Sequence, residues 1–342
     1  MRITQVMLSH GEGGLEKHTL ELCNALSRAG HSVTLIGDAS LAPQLDPAID
    51  LLTINTAPSR NNPLLLFSLY RKISASRPDI IHAQAHKAAT AMTRLRFWLK
   101  APILASVHGV KRDNRTLAKL DAVVCVSQEV AKRVNHPNGF VIYNGIAEPD
   151  TRHNWSRERL RSEFSLDRHY PTIGVIGRLA PVKGVDLALS AGDGLPLNMI
   201  VFGDGPERER LLAQHQQLRH PERIRFAGHR QDIGQILPAL DAVLISSHRE
   251  GFSYVLAEAL LAGVAIISTD VAGPREILPP QCIVGPASLD NIRSGLQHWL
   301  HQPEQWRAAM SNAFDFAQQE LTLEQMTRHT LSVYNQMLEA KH

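Results

Sequence analysis

The sequence predicts an α/β protein of two doubly wound, Rossmann-like domains, and three observations carry that prediction. Short apolar, β-rich runs alternate with helical patterns from one end to the other. The strand-like runs are apolar throughout rather than alternating, as strands of a parallel sheet covered on both faces are. At 342 residues the chain supports two cores at roughly 100–200 residues each. In the first half, strands are expected at 3–8, 33–36, 51–54, 79–83, 103–107, 122–126 and 140–142. Between several of them apolar residues recur at helical spacing, first Leu15, Leu20, Leu22 and Leu26, then Leu65, Leu69 and Ile73. Residues 149–170, with arginine at 152, 157, 159, 161 and 168, read as a linker plus a short helix. A second series follows, with strands at 172–177, 198–202, 224–227, 242–245 and 264–268, and helices from about 289 to 340 close the chain. The expected division is 1–150 for the first domain and 151–325 for the second, with 326–342 a helix packing back on the first. Ligands of such folds sit outside the carboxyl ends of the strands. Chemistry is therefore expected in loops that follow strands and face a cleft between the domains.

Composition narrows the function classes. With 44% hydrophobic and 20% charged residues the chain is neither disordered nor collagen-like. No apolar run reaches the ~18–20 residues of a membrane helix; the longest, 255–268, contains Glu258 and reads as core. A strand begins directly after Met1, with no charged leader or small-residue cleavage site. Three widely spaced cysteines, Cys23, Cys125 and Cys282, suit neither a disulfide framework nor a zinc site. A cytoplasmic location is expected. The net charge of +3 conceals an asymmetry, because residues 60–133 hold fourteen Lys/Arg and four Asp/Glu. That excess points the first half toward an anionic partner, unless it only solvates helix faces.

Several post-strand loops have the chemistry for anions and sugars. Residues 9–16 (Ser-His-Gly-Glu-Gly-Gly-Leu-Glu) follow the first strand and open a helix, where glycines let a phosphate approach free N–H groups. A dinucleotide fingerprint needs G-x-G-x-x-G; Gly11 and Gly13 fit, but Glu16 occupies the third position, which counts against NAD. His108-Gly109 follows strand 103–107, where a histidine can bond a ligand hydroxyl or stabilise developing charge. His82 and His86 stand four apart like half a metal site, but no third ligand accompanies them. Residues 177–184 (Gly-Arg-Leu-Ala-Pro-Val-Lys-Gly) put Arg178 and Lys183 after the second domain's first strand, a fork and a mobile point charge suited to a diphosphate. Gly203-Asp204-Gly205-Pro206 follows the next strand. Residues 250–258 (Glu-Gly-Phe-Ser-Tyr-Val-Leu-Ala-Glu) place Glu250 in a loop and Glu258 about one turn into a helix, with free amides expected around Ser253, Tyr254 and Val255. Ionised carboxylates only accept hydrogen bonds, which suits sugar hydroxyls. Glu258 also lies in an apolar stretch, where an unpaired charge costs free energy.

Together these loops resemble the retaining nucleotide-sugar glycosyltransferases of the GT-B fold, family 4, over nearly the whole chain. The Gly-Gly-x-Glu element corresponds to Gly13, Gly14 and Glu16, G-R-L-x-x-x-K-G to residues 177–184, and the spaced glutamate pair to Glu250 and Glu258. The Gly-x-Gly-Pro turn corresponds to residues 203–206, and Asn144-Gly145 to the segment before the interdomain linker. The resemblance implies that Arg178 and Lys183 hold the donor diphosphate, helped by amides near Gly14, Tyr254 and Val255. It implies that Gly203, Phe252 and Ser253 shape that donor site, that Glu258 takes the ribose hydroxyls, and that Glu250 contacts the transferred sugar. His108 would lie beside the sugar and the acceptor, and the nucleobase near His229-Arg230. Ala147 stands where the family commonly has an acid, and Ser253 where a glycine is frequent.

The sequence holds no Asp-x-Asp, so no metal or other cofactor is expected, and basic side chains with helix N-termini would stabilise the leaving diphosphate. The resemblance implies net retention. Because no carboxylate in these motifs is an obvious nucleophile, same-face attack of the acceptor hydroxyl is favoured over a covalent intermediate. UDP is the preferred donor nucleotide, with GDP and ADP open. Bacterial enzymes of this kind build lipopolysaccharide and other cell-surface glycans. A glycan or glycolipid acceptor is therefore expected, with peripheral contact between residues 60–133 and an anionic membrane. Residues 94–100 (Arg-Leu-Arg-Phe-Trp-Leu-Lys) interleave basic and aromatic side chains as an interfacial segment does, unless Phe97 and Trp98 are core. No recognised module suggests nucleic acid. Two alternatives share the architecture: a nucleotide-sugar epimerase, and a non-enzymatic two-domain sugar-binding protein.

Overall fold

The computed structural model describes residues 1–9, 13–109, 116–147 and 151–340. Gly11 of the first glycine loop and Pro149 of the linker lie outside the described residues. The chain divides into two compact units, Met1–Ala147 with Glu320–His342, and Glu148–Gln319. The second unit thus ends at 319 rather than 325.

The first unit carries a seven-stranded parallel sheet. Its strands are β1 (Arg2–Met7), β2 (Ser32–Gly37), β3 (Asp50–Thr53), β4 (Ile80–Gln84), β5 (Ile103–Val107), β6 (Ala122–Cys125) and β7 (Gly139–Val141), in the spatial order 3-2-1-4-5-6-7. Helices α1 (Gly14–Arg28), α2 (Pro63–Ser76), α3 (Ala85–Leu95) and α4 (Gln128–Val134) connect them. Asn62 caps α2 by accepting from the Leu64 and Leu65 amides at 2.9 and 3.1 Å, and Pro63 fits the first turn because it needs no acceptor. Leu65, Leu69 and Ile73 then recur one turn apart as its buried face. Each such side chain contributes about 1.5–3 kcal/mol when fully buried. Arg77 ends the helix in a left-handed conformation at φ 45°.

The second unit has a five-stranded parallel sheet of β8 (Thr172–Ile176), β9 (Asn198–Phe202), β10 (Ile224–Gly228), β11 (Ala242–Ile245) and β12 (Ala265–Ser268), in the order 10-9-8-11-12. Its helices are α5 (Arg157–Phe164), α6 (Val185–Gly192), α7 (Arg208–His215), α8 (Ile233–Ile236), α9 (Tyr254–Leu261), α10 (Ala272–Ile277), α11 (Leu289–His301), α12 (Pro303–Ala309) and α13 (Ser311–Glu320). The expected linker is anchored. Buried Asn198 donates to the Asp167 and Tyr170 carbonyls at 2.8 and 3.1 Å, and Trp155 is 4% exposed, with Arg159 stacked 4.0 Å from its ring centroid.

The last helix, α14 (Leu323–Glu339), belongs to the first unit. Thr322 caps it through the Gln325 amide at 3.2 Å. Ile146 holds it by exchanging backbone bonds with Leu321 and Leu323 at 3.0 and 2.8 Å. Met326, Val333, Tyr334 and Met337 enter the core beside Leu22, Cys23 and Leu26 of α1.

Two backbone turns at the carboxyl end of the second sheet approach too closely for any side chain. Gly203 has φ +136°, and a Cβ there would lie 1.9 Å from the Gly177 carbonyl oxygen. We expect Gly203→Ala to lower unfolding free energy by upwards of ~2 kcal/mol, because the obstructing atom is backbone. Gly194→Ala, at φ +77° with open space around it, should cost only about 1 kcal/mol. Urea unfolding of both variants checks the contrast; equal losses would refute the close-approach argument.

Candidate active site

In the second unit the chemistry gathers after β8 and β11. A 3-10 turn, Pro181–Lys183, leads into α6 through Gly184 at φ +59°. The Ser246 hydroxyl fixes this turn by donating to the Lys183 carbonyl at 2.9 Å. Lys183 Nζ then donates to Glu250 Oε1 at 2.5 Å, and Ser247 Oγ donates to the same oxygen at 2.7 Å. Lys183, Ser246, Ser247, Glu250 and Ser253 line a small cavity of about 10 Å³. Arg178 is exposed, and its guanidinium has no hydrogen-bond or ion-pair partner among the described residues.

The glutamate-bearing helix α9 starts at Tyr254. Ser253, its N-cap residue, makes no side-chain capping bond, so its hydroxyl does not occupy the first-turn amides. Phe252 and Ser253 are buried, while Tyr254 and Val255 are half-buried. Glu258 corrects one expectation. The buried positions of α9 are Leu256, Ala257, Ala259 and Leu260, and Glu258 is half-buried between them, so the cost of a charge in apolar surroundings is reduced rather than full. Gly203 acts by close packing against Gly177. Arg230 makes a two-pronged pair with Asp232, both bonds 2.8 Å, which raises the guanidinium's pKa and lowers the carboxyl's. Its fork is committed within the protein, next to Trp155 at 5.2 Å.

In the first unit, polar groups gather at the carboxyl ends of β1, β4 and β5. Gly13 is the N-cap residue of α1 and Gly14 its first residue. A Cβ on Gly13 would lie 3.0 Å from Glu16 Oε2, so a carboxylate already faces this helix start and partly offsets its attraction for a phosphate. His108 follows β5, half-buried, with its ring 4.5 Å edge-on from that of His18. His82 uses both ring nitrogens, Nδ1 toward Tyr334 Oη at 2.7 Å and Nε2 toward Ser106 Oγ at 2.8 Å. His82 and His86 are therefore not half of a metal site. Sequence reasoning missed His18, Gln84, Gln5, Ser106, Ser247 and Tyr334. A signal existed for two of them, since Gln5 and Gln84 interrupt apolar strand runs and a buried amide must find partners.

Burial holds these imidazoles neutral. It pushes His18 and His82 down to about 3, with neighbouring histidines adding to the effect, and drives His108 well below its ordinary value with help from His18. At neutral pH His108 can therefore donate or accept a hydrogen bond, but it does not bring the cationic charge that its sequence context allowed.

Parallel sheets with glycine-hinged turns and anion-suited groups at their carboxyl ends define a protein of the GT-B class, and comparisons with known proteins agree. Residues 156–315 match the Glycosyl transferases group 1 family and residues 12–148 match Glycosyltransferase Family 4. A GDP-mannose-dependent alpha-mannosyltransferase of Mycobacterium tuberculosis is 25% identical over 309 residues, 78% of each chain. The lipopolysaccharide core biosynthesis glycosyltransferase LpsE of Rhizobium meliloti is 28% identical over 287 residues, 77% of this chain and 78% of its own. The crystal structure of Anabaena HepE in complex with UDP superposes with a TM-score of 0.81 at 20% identity, covering 98% of this chain and all of that one. The chain belongs to the group 1 glycosyltransferases.

The neutral histidines make acid stability a test of the first unit. A histidine whose folded pKa lies below its unfolded value of 6.5 stabilises the fold above that pH, and the contribution is lost as pH falls from 6.5 toward 3. Each of His18 and His82 should cost up to ~1.4 kcal/mol per pH unit in that window. Urea unfolding at pH 7, 6 and 5 should show the loss, and His82→Gln should lessen its slope. A flat profile would contradict the neutral-imidazole assignment.

Proposed function

We propose that this enzyme moves a sugar, with retention, from a nucleotide-sugar to a hydroxyl of a glycan or glycolipid acceptor in cell-surface polysaccharide assembly. The observation that carries this reading is the group of Arg178, Lys183, Glu250 and Ser247 beside the start of α9. Arg178 and Lys183 neutralise the leaving diphosphate, and the first-turn amides of α9 donate to it. Glu258 accepts from the ribose hydroxyls. Glu250, held by Lys183 and Ser247, accepts from the transferred sugar. His108 bonds a hydroxyl of the acceptor as a neutral imidazole. Charge on the diphosphate is met by side chains and amides, so the reaction needs no metal. UDP is the favoured nucleotide, as bound by HepE, and the mycobacterial relative makes GDP the main competitor.

Membrane contact is proposed for the first unit. Phe97 and Trp98 are 95% and 65% exposed, and within 94–100 only Leu95 and Leu99 are buried. A second apolar patch lies on α2, where Leu64 and Phe67 are 77% and 61% exposed on the same face as exposed Arg71. Acids inside the basic segment are largely spent, since Asp79 pairs with Arg2, Asp121 with Arg96 and Glu129 with Arg133. Exposed Arg60, Arg71 and Arg94 remain to meet anionic lipid.

Melting scans with UDP, GDP and ADP, with and without magnesium, test the donor site. The preferred nucleotide at 100 times its Kd should add ~2.7 kcal/mol of stability without magnesium. Arg178→Ala, Lys183→Ala and Glu258→Ala should each reduce turnover at least tenfold, ~1.4 kcal/mol of transition-state stabilisation. No shift with any nucleotide would sink the donor assignment. Product formed without an added acceptor would favour an epimerase.

Flotation with phosphatidylglycerol vesicles at low salt tests the membrane contact. We expect wild type to float and Phe97→Ser/Trp98→Ser or Leu64→Ser/Phe67→Ser to float less. Equal recovery from neutral phosphatidylcholine would remove the electrostatic part of the reading.

A further inference from the structure

Polar side chains buried beneath His108 form a chain of hydrogen bonds, cross-linked where Gln5 Nε2 lies 3.4 Å from His82 Nδ1 and Gln84 Nε2 lies 3.5 Å from His82 Nε2. Gln5 and Gln84 are 0% and 1% exposed and belong to the adjacent strands β1 and β4, where Gln84 is in register with Met7. Gln84 Nε2 donates to Gln5 Oε1 at 2.9 Å, and Gln5 Nε2 donates to Tyr334 Oη at 3.1 Å. The Tyr334 hydroxyl keeps its own proton to give, and His82 Nδ1 lies 2.7 Å away, facing the donating Gln5 amide as well at 3.4 Å. His82 then keeps its single proton on Nε2, which donates to Ser106 Oγ at 2.8 Å. At the other end, Gln84 presents Oε1 to His108 Nε2 at 3.5 Å. An oxygen can only accept, so His108 carries its proton on Nε2 as well. Donation therefore runs in one direction, from His108 through Gln84, Gln5, Tyr334 and His82 to Ser106.

We propose that Gln84 and Tyr334 are positioning residues that fix His108 as the Nε2–H tautomer, leaving the Nδ1 lone pair to accept from a substrate hydroxyl. The clause about a substrate hydroxyl rests on the function proposed above; the tautomer does not. Each amide has one oxygen and one NH₂, so reversing the Gln5–Gln84 link turns round the bond to His108 and the bond to Tyr334 with it. Tyr334, on the last helix and 252 residues from His82 in sequence, thus sets the proton position on a residue it does not touch. The titratable groups facing the chain are His18 of α1, edge-on to His108, and Cys23 of α1, near Tyr334. Burial raises the pKa of both Cys23 and Tyr334 and keeps them protonated, and among the described residues no carboxylate enters the chain. Polarisation along a one-way chain strengthens each bond in it.

Long-range ¹H–¹⁵N spectra of the histidine rings in the full-length protein test this, with His82→Gln and His108→Gln supplying assignments. Wild type should show His82 and His108 as neutral Nε2–H tautomers from pH 8 to pH 6. Tyr334→Phe keeps the ring but removes the relay atom, and both histidines should shift toward mixed tautomers. Gln84→Glu places a carboxylate against His108, which should then titrate at or above pH 6.5. An Nδ1–H signal for His108 in wild type, or unchanged spectra in Tyr334→Phe, would overturn the proposal. Release of UDP from UDP-glucose by wild type is read in parallel. Its failure would count against the donor reading and leave the tautomer result standing.

Discussion

A parallel sheet covered on both faces leaves its carboxyl edge as the place for chemistry, and this constraint governs both units. Strand interiors such as Val6, Ile81, Leu104, Val201 and Leu244 are at most 1% exposed, so ligands have no access there. Loops at the carboxyl edge are under the opposite pressure. They bring backbone N–H groups, helix starts and polar side chains to one side, and they must do so without crowding. Gly184 solves this for the lysine turn, where a Cβ would fall 2.3 Å from the Ser246 carbonyl oxygen. The same contact region gives Ser246 its bond to the Lys183 carbonyl, so the placement of Lys183 follows from a glycine and a serine that need not touch substrate.

All twelve strands were legible because continuous apolar runs between turn residues have few other solutions in a chain of this length. The small errors are informative. The fourth strand was expected at 79–83 and occupies Ile80–Gln84. Asp79 sits just before it because its carboxylate takes the Arg2 amide at 2.8 Å, and Gln84 extends it because Gln5 satisfies its amide. Local pattern cannot foresee an amide that is polar alone but neutralised by a partner 79 residues away.

The candidate site was legible in its motifs and not in its pairings. Arg178, Lys183, Glu250 and Glu258 stand out by residue type and by position after strands. That Lys183 and Glu250 meet at 2.5 Å across 67 residues depends on β8 and β11 being neighbours, which is a property of strand order. The histidines show the same limit from the other direction. His108 looked capable of carrying charge, and only its packing against His18 and the sheet reveals that burial keeps it neutral. A residue's type gives its possible protonation states, and its surroundings choose among them.

The charge balance of the second unit's site suggests how it would treat an anion. Glu250 offsets the Lys183 charge in the unliganded protein, so this pair alone attracts a distant diphosphate weakly. Pairing keeps the ammonium in place, however, and a lysine so held loses less side-chain entropy on binding than a free one. On the proposed reading Arg178, exposed and without a charged partner among the described residues, would supply the net attraction, and the α9 helix start would add partial positive charge. On that reading recruitment and orientation would belong to different groups, Arg178 drawing the anion in and Lys183 fixing where it stops. Lys183 and Ser247 both donate to Glu250 Oε1, so on the proposed reading Oε2 is the oxygen that would meet a sugar hydroxyl. The ion pair is thus a means of holding two oppositely charged groups at fixed positions until a ligand takes its place between them.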